Sequence, residues 1–268
     1  MRSNRKLAVI KLGGHAMDDA ALLAAFAVDI ARLSQKGMRF IVVHGGGPHI
    51  NALLQRLGIE STFVNGLRVT DRPTLEAVEL ALCATVNKAV IRHMHRHGCR
   101  VAGISGQDGS MLKATVKDSS LGHVGRVTSV NPDLLVALLK NGFIPVVAPL
   151  ALDQNSEPLN VNADTAAGAI AGAMQADYFV LISDVPGILD SQKCLIPRVD
   201  TEEIANLREN GTISGGMLPK VESCQHALAN GCRNALILNG KEKNSLGRYL
   251  EDGEKLGTLI IAATDGAA

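Results

Sequence analysis

The chain contains no tryptophan, only two tyrosines and five phenylalanines, and almost no excess charge: 27 Lys and Arg oppose 26 Asp and Glu in 268 residues, a formal net charge of +1. Without a basic field or aromatic platforms for stacking bases, nucleic acid is not an expected partner. The five cysteines, Cys83, Cys99, Cys194, Cys224 and Cys232, include no C-x-x-C pair, and an odd number in a chain this long does not describe a secreted disulfide framework. No run approaches the ~18 apolar residues of a membrane helix. The start MRSNRKLAVIKLGG is interrupted by Lys11 before a signal-peptide core can develop. A cytoplasmic protein without a membrane partner is therefore expected. With 46% hydrophobic residues and a mean hydropathy of +0.15, the chain can bury a proper core, which excludes disorder.

What the sequence has in excess is glycine, 27 residues, above the usual share of ~7%. Short apolar runs alternate with helix-length amphipathic stretches, the pattern of βαβ units and a mostly parallel sheet. Strands are predicted at Leu7–Ile10, Phe40–Val43, Arg100–Ile104, Ile144–Ala148, Tyr178–Ile182, Ala235–Leu238 and Leu259–Ile261. Helices are predicted from Asp19 to Gly37, after Pro48 to Gly58, over Pro73–His97 with Asp71 as N-cap, after Pro132, over Ala163–Met174 and from Thr201. A glycine-rich hairpin region around Gly122 and Gly125 precedes Pro132. No linker or internal repeat divides the chain, so two lobes sharing one continuous sheet and meeting near residues 160–185 are expected.

Glycine pairs follow the first two predicted strands directly, as Lys11-Leu12-Gly13-Gly14 and Gly45-Gly46-Gly47-Pro48. In open α/β sheets ligands bind beyond the carboxyl ends of strands, where helix N-termini offer unpaired N–H groups to anions. Glycine lets the backbone come close. Neither a P-loop nor a G-x-G-x-x-G fingerprint is present, and H-E-x-x-H and G-x-S-x-G are missing too. His93, His95 and His97 would point to opposite faces of a helix at their spacing of two, which argues against a shared metal ion.

Six motifs occur in a fixed order: Lys11-Leu12-Gly13-Gly14, His44-Gly45-Gly46-Gly47-Pro48, Asn65-Gly66-Leu67-Arg68-Val69-Thr70-Asp71, Asn160-Val161-Asn162-Ala163-Asp164, Ser183-Asp184-Val185-Pro186-Gly187-Ile188 and Gly215-Gly216-Met217-Leu218-Pro219-Lys220. Over nearly the whole chain this set resembles the amino-acid kinase family, and the third and fourth motifs resemble its branch that phosphorylates the side-chain carboxylate of N-acetyl-L-glutamate in arginine biosynthesis. The resemblance implies an α/β fold, a three-layer αβα sandwich with a central, mostly parallel sheet. A lobe of about residues 1–160 would bind the amino acid and one of about 161–268 the nucleotide. It implies Lys11 and Lys220 at the transferring phosphoryl group with Asp164 as their organiser. Gly46, Gly47, Arg68 and Asn160 would bind the amino acid. Gly13 and Gly14, the loop Asp184, Val185, Pro186, Gly187, Ile188 and Leu189, and the loop Thr212, Ile213 and Ser214 would bind ATP with Mg2+. No protein metal site is implied.

These roles fit physical need. A carboxylate nucleophile, with an ordinary pKa of ~4.3, needs no general base, and phosphoryl transfer is mostly positioning and charge neutralisation. His15 departs from the small or apolar residue common in relatives after the first glycine pair. Only about six residues precede the first predicted strand, where arginine-inhibited relatives carry an extra helix, so an arginine-insensitive homodimer is expected. A kinase for another N-blocked acidic amino acid, such as aminoadipate, and a catalytically silent sensor of the same fold are the alternative expectations.

Overall fold

A computed structural model of the chain describes residues 5–13, 17 and 19–263. Gly14 and His15 lie outside the described residues. The strands are β1 (Leu7–Leu12), β2 (Arg39–His44), β3 (Phe63–Val64), β4 (Leu67–Arg68), β5 (Val101–Ser105), β6 (Leu112–Val116), β7 (Gly125–Val130), β8 (Ile144–Ala148), β9 (Leu150–Leu152), β10 (Pro158–Asn160), β11 (Tyr178–Ser183), β12 (Arg198–Asp200), β13 (Ala235–Asn239) and β14 (Thr258–Ile261). The helices are α1 (Ala20–Gln35), α2 (Gly47–Leu57), α3 (Arg72–Glu79), α4 (Asn87–Arg96), α5 (Asp133–Lys140), α6 (Ala163–Ala173), α7 (Thr201–Glu209), α8 (Leu218–Ala229) and α9 (Ser245–Leu250).

Eight strands form the central sheet in the order β12-β14-β13-β11-β1-β2-β8-β5. From β13 to β5 every pairing is parallel, and only β14 meets β13 antiparallel. The chain fills one half of the sheet with β1, β2, β5 and β8 and the other half from β11 onward, so the order reverses between β1 and β11. Ligands of such sheets bind at that reversal, beyond the strand carboxyl ends. A smaller sheet, β10-β9-β6-β7, and the β3–β4 hairpin flank it. Among the described residues no helix is long and apolar enough to cross a membrane.

The central strands are apolar on both faces because helices cover both. Alternation along β1 assigns the faces: Leu7 and Val9 join a core with α6 and α8, whereas Ala8, Ile10 and Leu12 join one with α1 and α4. By the same parity Lys11 emerges on the α6 side. Helix α6, written ADTAAGAIAGA, is small-sided nearly throughout, and residues 166–172 are all buried. A Cβ on Gly168 would come 2.7 Å from the Ser223 carbonyl oxygen of α8, and one on Gly172 2.6 Å from Asn230 Cβ. Two helix backbones can approach this closely only without those side chains.

The helix expected over Pro73–His97 is continuous from Arg72 to Arg96 but contains a π-helical stretch, Leu80–Val86. The sequence reading also passes over the β3–β4 hairpin, although its turn carries Asn65 and Gly66 at φ 50° and 76°. That is the left-handed pair a two-residue hairpin turn demands.

The close approach of α6 and α8 predicts that Gly168→Ala lowers stability by about 1–3 kcal/mol, the usual cost of overpacking. Urea unfolding should show a lower midpoint for it and an unchanged midpoint for Gly216→Ala, whose added methyl meets nothing within 4 Å.

Candidate functional site

Lys11, at the end of β1, places its Nζ 2.9 Å from Asp164 Oδ1, and Lys220, in the first turn of α8, places its Nζ 3.2 Å from Asp164 Oδ2. Asp164 sits in the first turn of α6, where Asn162 caps the helix by accepting the N–H groups of Asp164 and Thr165 through Oδ1 at 2.9 and 3.1 Å. The partial positive charge of the helix N-terminus favours a carboxylate there. Asp164 is 5% exposed. Burial by itself would raise its pKa, but Lys11 and Lys220 together hold the carboxyl below the ordinary carboxylate value. The cluster thus has one anion and two cations. Gly13 follows directly, and a Cβ there would lie 2.6 Å from the Ile182 carbonyl oxygen of β11, so the turn after β1 can hug its neighbour only as glycine.

A pocket of about 200 Å³ lies nearby, lined by Gly46, Gly47, Arg68 and Asn160 together with apolar side chains that include Leu82 and Val124. Gly46 precedes α2 as its N-cap, and Gly47 is the first helical residue. Among the described residues no acceptor reaches the N–H of either, so both donors are available to an anion. Arg68 is 8% exposed and is held by neutral groups: its Nη2 donates to Asn51 Oδ1 at 2.7 Å, its Nη1 to Ser61 Oγ, and its guanidinium lies 4.7 Å from the Phe63 ring centroid. Burial lowers its pKa, yet a guanidinium remains charged in proteins. Asn160 Nδ2 donates to Thr70 Oγ1 at 3.1 Å, and Thr70 in turn donates to the Arg68 carbonyl at 2.9 Å. The backbone closes the same circuit, since His123 N–H donates to the Thr70 carbonyl and Asn160 N–H to the His123 carbonyl.

Asn51, Ser61, Thr70 and Asn162 were not singled out as site residues from the sequence. Thr70 and Asn162 stand inside the third and fourth motifs, and Asn162 adds the signal of an Asn immediately before a helix; Asn51 and Ser61 join them only through folding. A larger cavity of about 570 Å³ lies beyond Asn162 and Pro219 and contains none of Lys11, Asp164, Arg68 or Lys220. Arg68 and the free Gly46 and Gly47 N–H groups line the smaller pocket, whereas the lysine–aspartate cluster lines neither.

The segment Asp184–Leu189 leaves β11 at the sheet reversal. Gly187 has φ 148°, and its Cβ would strike Leu195 and Thr258 at 2.6 Å; Ile188 N–H donates to Thr258 Oγ1 at 2.8 Å. Thr212 N–H donates to Asn210 Oδ1 at 3.0 Å and Ile213 N–H to the Leu207 carbonyl at 2.8 Å. The side chains of Ile188 and Ile213 belong to the core, so each can offer a ligand only backbone. Asp184, Pro186 and Ser214 are exposed, and Val185, Leu189 and Thr212 half-buried.

The chain matches known proteins along most of its length. The acetylglutamate kinase of Agrobacterium fabrum is 46% identical over 270 residues, covering 96% of this chain and 91% of the relative. The acetylglutamate kinase of Dinoroseobacter shibae is 44% identical over 244 residues, 91% of this chain and 85% of that one. Among solved structures, smu.665 of Streptococcus mutans superposes with a TM-score of 0.82 at 28% identity over 96% of this chain and 99% of its own. The carbamate kinase of Giardia lamblia bound to AMP-PNP shares the fold, with a TM-score of 0.73 at 17% identity over 97% and 99%. The amino acid kinase family pattern covers residues 6–239, and the chain belongs to that family.

Proposed function

We propose that the protein transfers the γ-phosphoryl group of ATP to the side-chain carboxylate of N-acetyl-L-glutamate, giving N-acetyl-L-glutamyl 5-phosphate and ADP, the second step of arginine biosynthesis. The observation that carries the reading is a two-lysine, one-aspartate cluster whose Asp164 directly follows Ala163 in the wall of a pocket that offers a buried arginine and two unpaired N–H groups. The names of relatives at 44% and 46% identity support the substrate.

In this reading Arg68 takes the α-carboxylate through its planar fork, and Asn160, oriented by Thr70, binds at the same end. The reacting carboxylate rests on the Gly46 and Gly47 N–H groups. One of its oxygens forms the new bond to the γ-phosphorus as the bond from that phosphorus to the β,γ-bridging oxygen breaks, leaving ADP. Lys11 and Lys220 neutralise the charge on the phosphoryl oxygens and the departing phosphate, while Asp164 fixes both ammonium groups. Apart from Gly13 and Gly14, after β1, the nucleotide lies along Asp184–Leu189 and Thr212–Ser214 in the half of about residues 161–268, and the amino acid lies in that of about 1–160. Mg2+ arriving with the nucleotide would add charge neutralisation at its phosphates and would need few protein ligands. With both of its oxygens engaged by the lysines, Asp164 serves in this reading as their organiser and not as a metal ligand. A cytoplasmic homodimer completes the reading. Leu57 and Leu80, on packed neighbouring helices, are 54% and 58% exposed, apolar side chains that a self-complementary contact would cover.

Purified protein with Mg-ATP and a panel of acylated and free acidic amino acids, with acyl phosphate trapped as the hydroxamate, should give product with N-acetyl-L-glutamate. Turnover confined to an aminoadipate derivative, or none at all, would overturn the assignment. Separate roles for the two poles predict separate kinetic signatures. Lys220→Ala should lower kcat by roughly 100-fold or more with KM for the amino acid within about threefold. Arg68→Lys should instead raise that KM by about tenfold or more with a smaller effect on kcat, because an ammonium cannot copy the fork. Steady-state kinetics in both substrates checks the pair.

A further inference from the structure

His44 ends β2 directly before the glycine loop and is completely buried. Its Nδ1 lies 2.8 Å from the Gly45 carbonyl oxygen, which can only accept, so Nδ1 carries the proton. Its Nε2 lies 3.1 Å from Asn87 Nδ2. The Asn87 amide cannot be turned over, because its Nδ2 also donates to the Val146 carbonyl at 2.9 Å and its Oδ1 accepts from Lys88 Nζ at 3.3 Å. The His44 Nε2 is therefore an acceptor, and the ring is a neutral Nδ1–H imidazole. Burial lowers its pKa to about 4 against the upward pull of the Gly45 carbonyl, with His49 and Lys88 pushing in the same direction as burial.

Asn87 has its place for two structural reasons. It follows the π-helical stretch, whose i→i+5 turn brings Leu82, Val86 and Asn87 onto one face. Leu82 and Val86 lie under Gly46, where a Cβ would be 2.6 Å from Leu82 Cδ2. On the other side Gly103 of β5 has no side chain, and a Cβ there would collide with Asn87 Oδ1. The Gly45 N–H donates to the Leu12 carbonyl at 3.2 Å, and the Gly46 carbonyl accepts from Ile50 N–H at 2.9 Å. The Gly45 carbonyl is the remaining handle on the peptide that leads into the Gly46 N–H, and His44 holds it.

We propose that His44 and Asn87 are positioning residues for the phosphoryl acceptor: the locked neutral imidazole fixes the Gly45–Gly46 peptide and so aims the Gly46 and Gly47 N–H groups at the reacting carboxylate. This rests on the function proposed above. Because Arg68 binds the far end of the amino acid independently, losing the brace should act on kcat rather than on KM.

The test combines kinetics with a signature of the free protein. Long-range 1H–15N correlation spectra should show His44 protonated at Nδ1 and bare at Nε2 near neutral pH; an Nε2–H tautomer would overturn the brace. His44→Leu should lower kcat by roughly 100-fold with KM for N-acetyl-L-glutamate within about threefold, while His44→Asn, which keeps a donor near the Nδ1 position, should recover at least about tenfold of that loss. A folded His44→Leu with kcat within threefold of wild type, or no recovery with His44→Asn, would also overturn it. Should His44→Leu fail to fold, Asn87→Ala reads the same split with the ring retained. Absence of turnover by the wild-type enzyme would strike the proposed reaction alone, whereas the wrong tautomer in an active enzyme would strike the brace alone.

Discussion

The buried carboxylate of Asp164 is the point on which the rest of the site is built. Taking an ionised group out of water costs several kcal/mol unless it is paired, and here two ammonium groups from distant parts of the chain converge on its two oxygens. Strand β1 delivers Lys11 to the correct face by parity. Helix α6 presents Asp164 at the end where its own dipole favours an anion, and α8 brings Lys220 within reach because Gly168 and Gly172 allow the two helices to close up. Without the carboxylate, two like charges would face one another in a partly desolvated cleft with nothing to hold them.

Glycine serves this site in two physically different ways. Gly46 and Gly47 expose N–H groups at a helix start and thereby contribute donors directly. Gly13, Gly103 and Gly168 contribute by lacking a Cβ, each where a carbonyl or amide of a neighbouring element occupies the space a methyl would need. The first kind borders the proposed reaction; the second determines how closely the surrounding layers approach, and so where Lys11, Asn87 and Lys220 come to rest.

These two kinds were not equally legible in the sequence. Glycine pairs directly after apolar runs announce strand-end loops, so the turns around Gly13 and Gly46 were readable, as were the strands carrying them, the Asp71 cap and the small-sided helix from Ala163. An isolated glycine inside a predicted strand, such as Gly103, carries no sign of the side chain it makes room for. That neighbour, Asn87, lies 16 positions away and is brought into place by a π-helical stretch that apolar periodicity reads as ordinary α-helix. The circuit through Arg68, Asn51, Ser61, Thr70 and Asn160 was half visible: the arginine and Asn160 stand in motifs, but Asn51 and Ser61 are ordinary polar residues until the hairpin and α2 come together.

The near-zero net charge acquires meaning from how charge is distributed. At one pole Arg68 is surrounded by an amide, a hydroxyl and an aromatic face. These orient the fork without neutralising it, whereas a carboxylate partner would occupy the donors that a ligand needs. At the other pole two lysines share one aspartate. Each pole is therefore short of one negative charge in surroundings where an unpaired cation is costly, and in the proposed reaction an α-carboxylate and a phosphoryl group supply them. A general basic surface would attract any polyanion. Two local deficits at a fixed separation instead favour ligands whose own negative charges match that separation, which makes the geometry between the poles, more than total charge, the basis of selection.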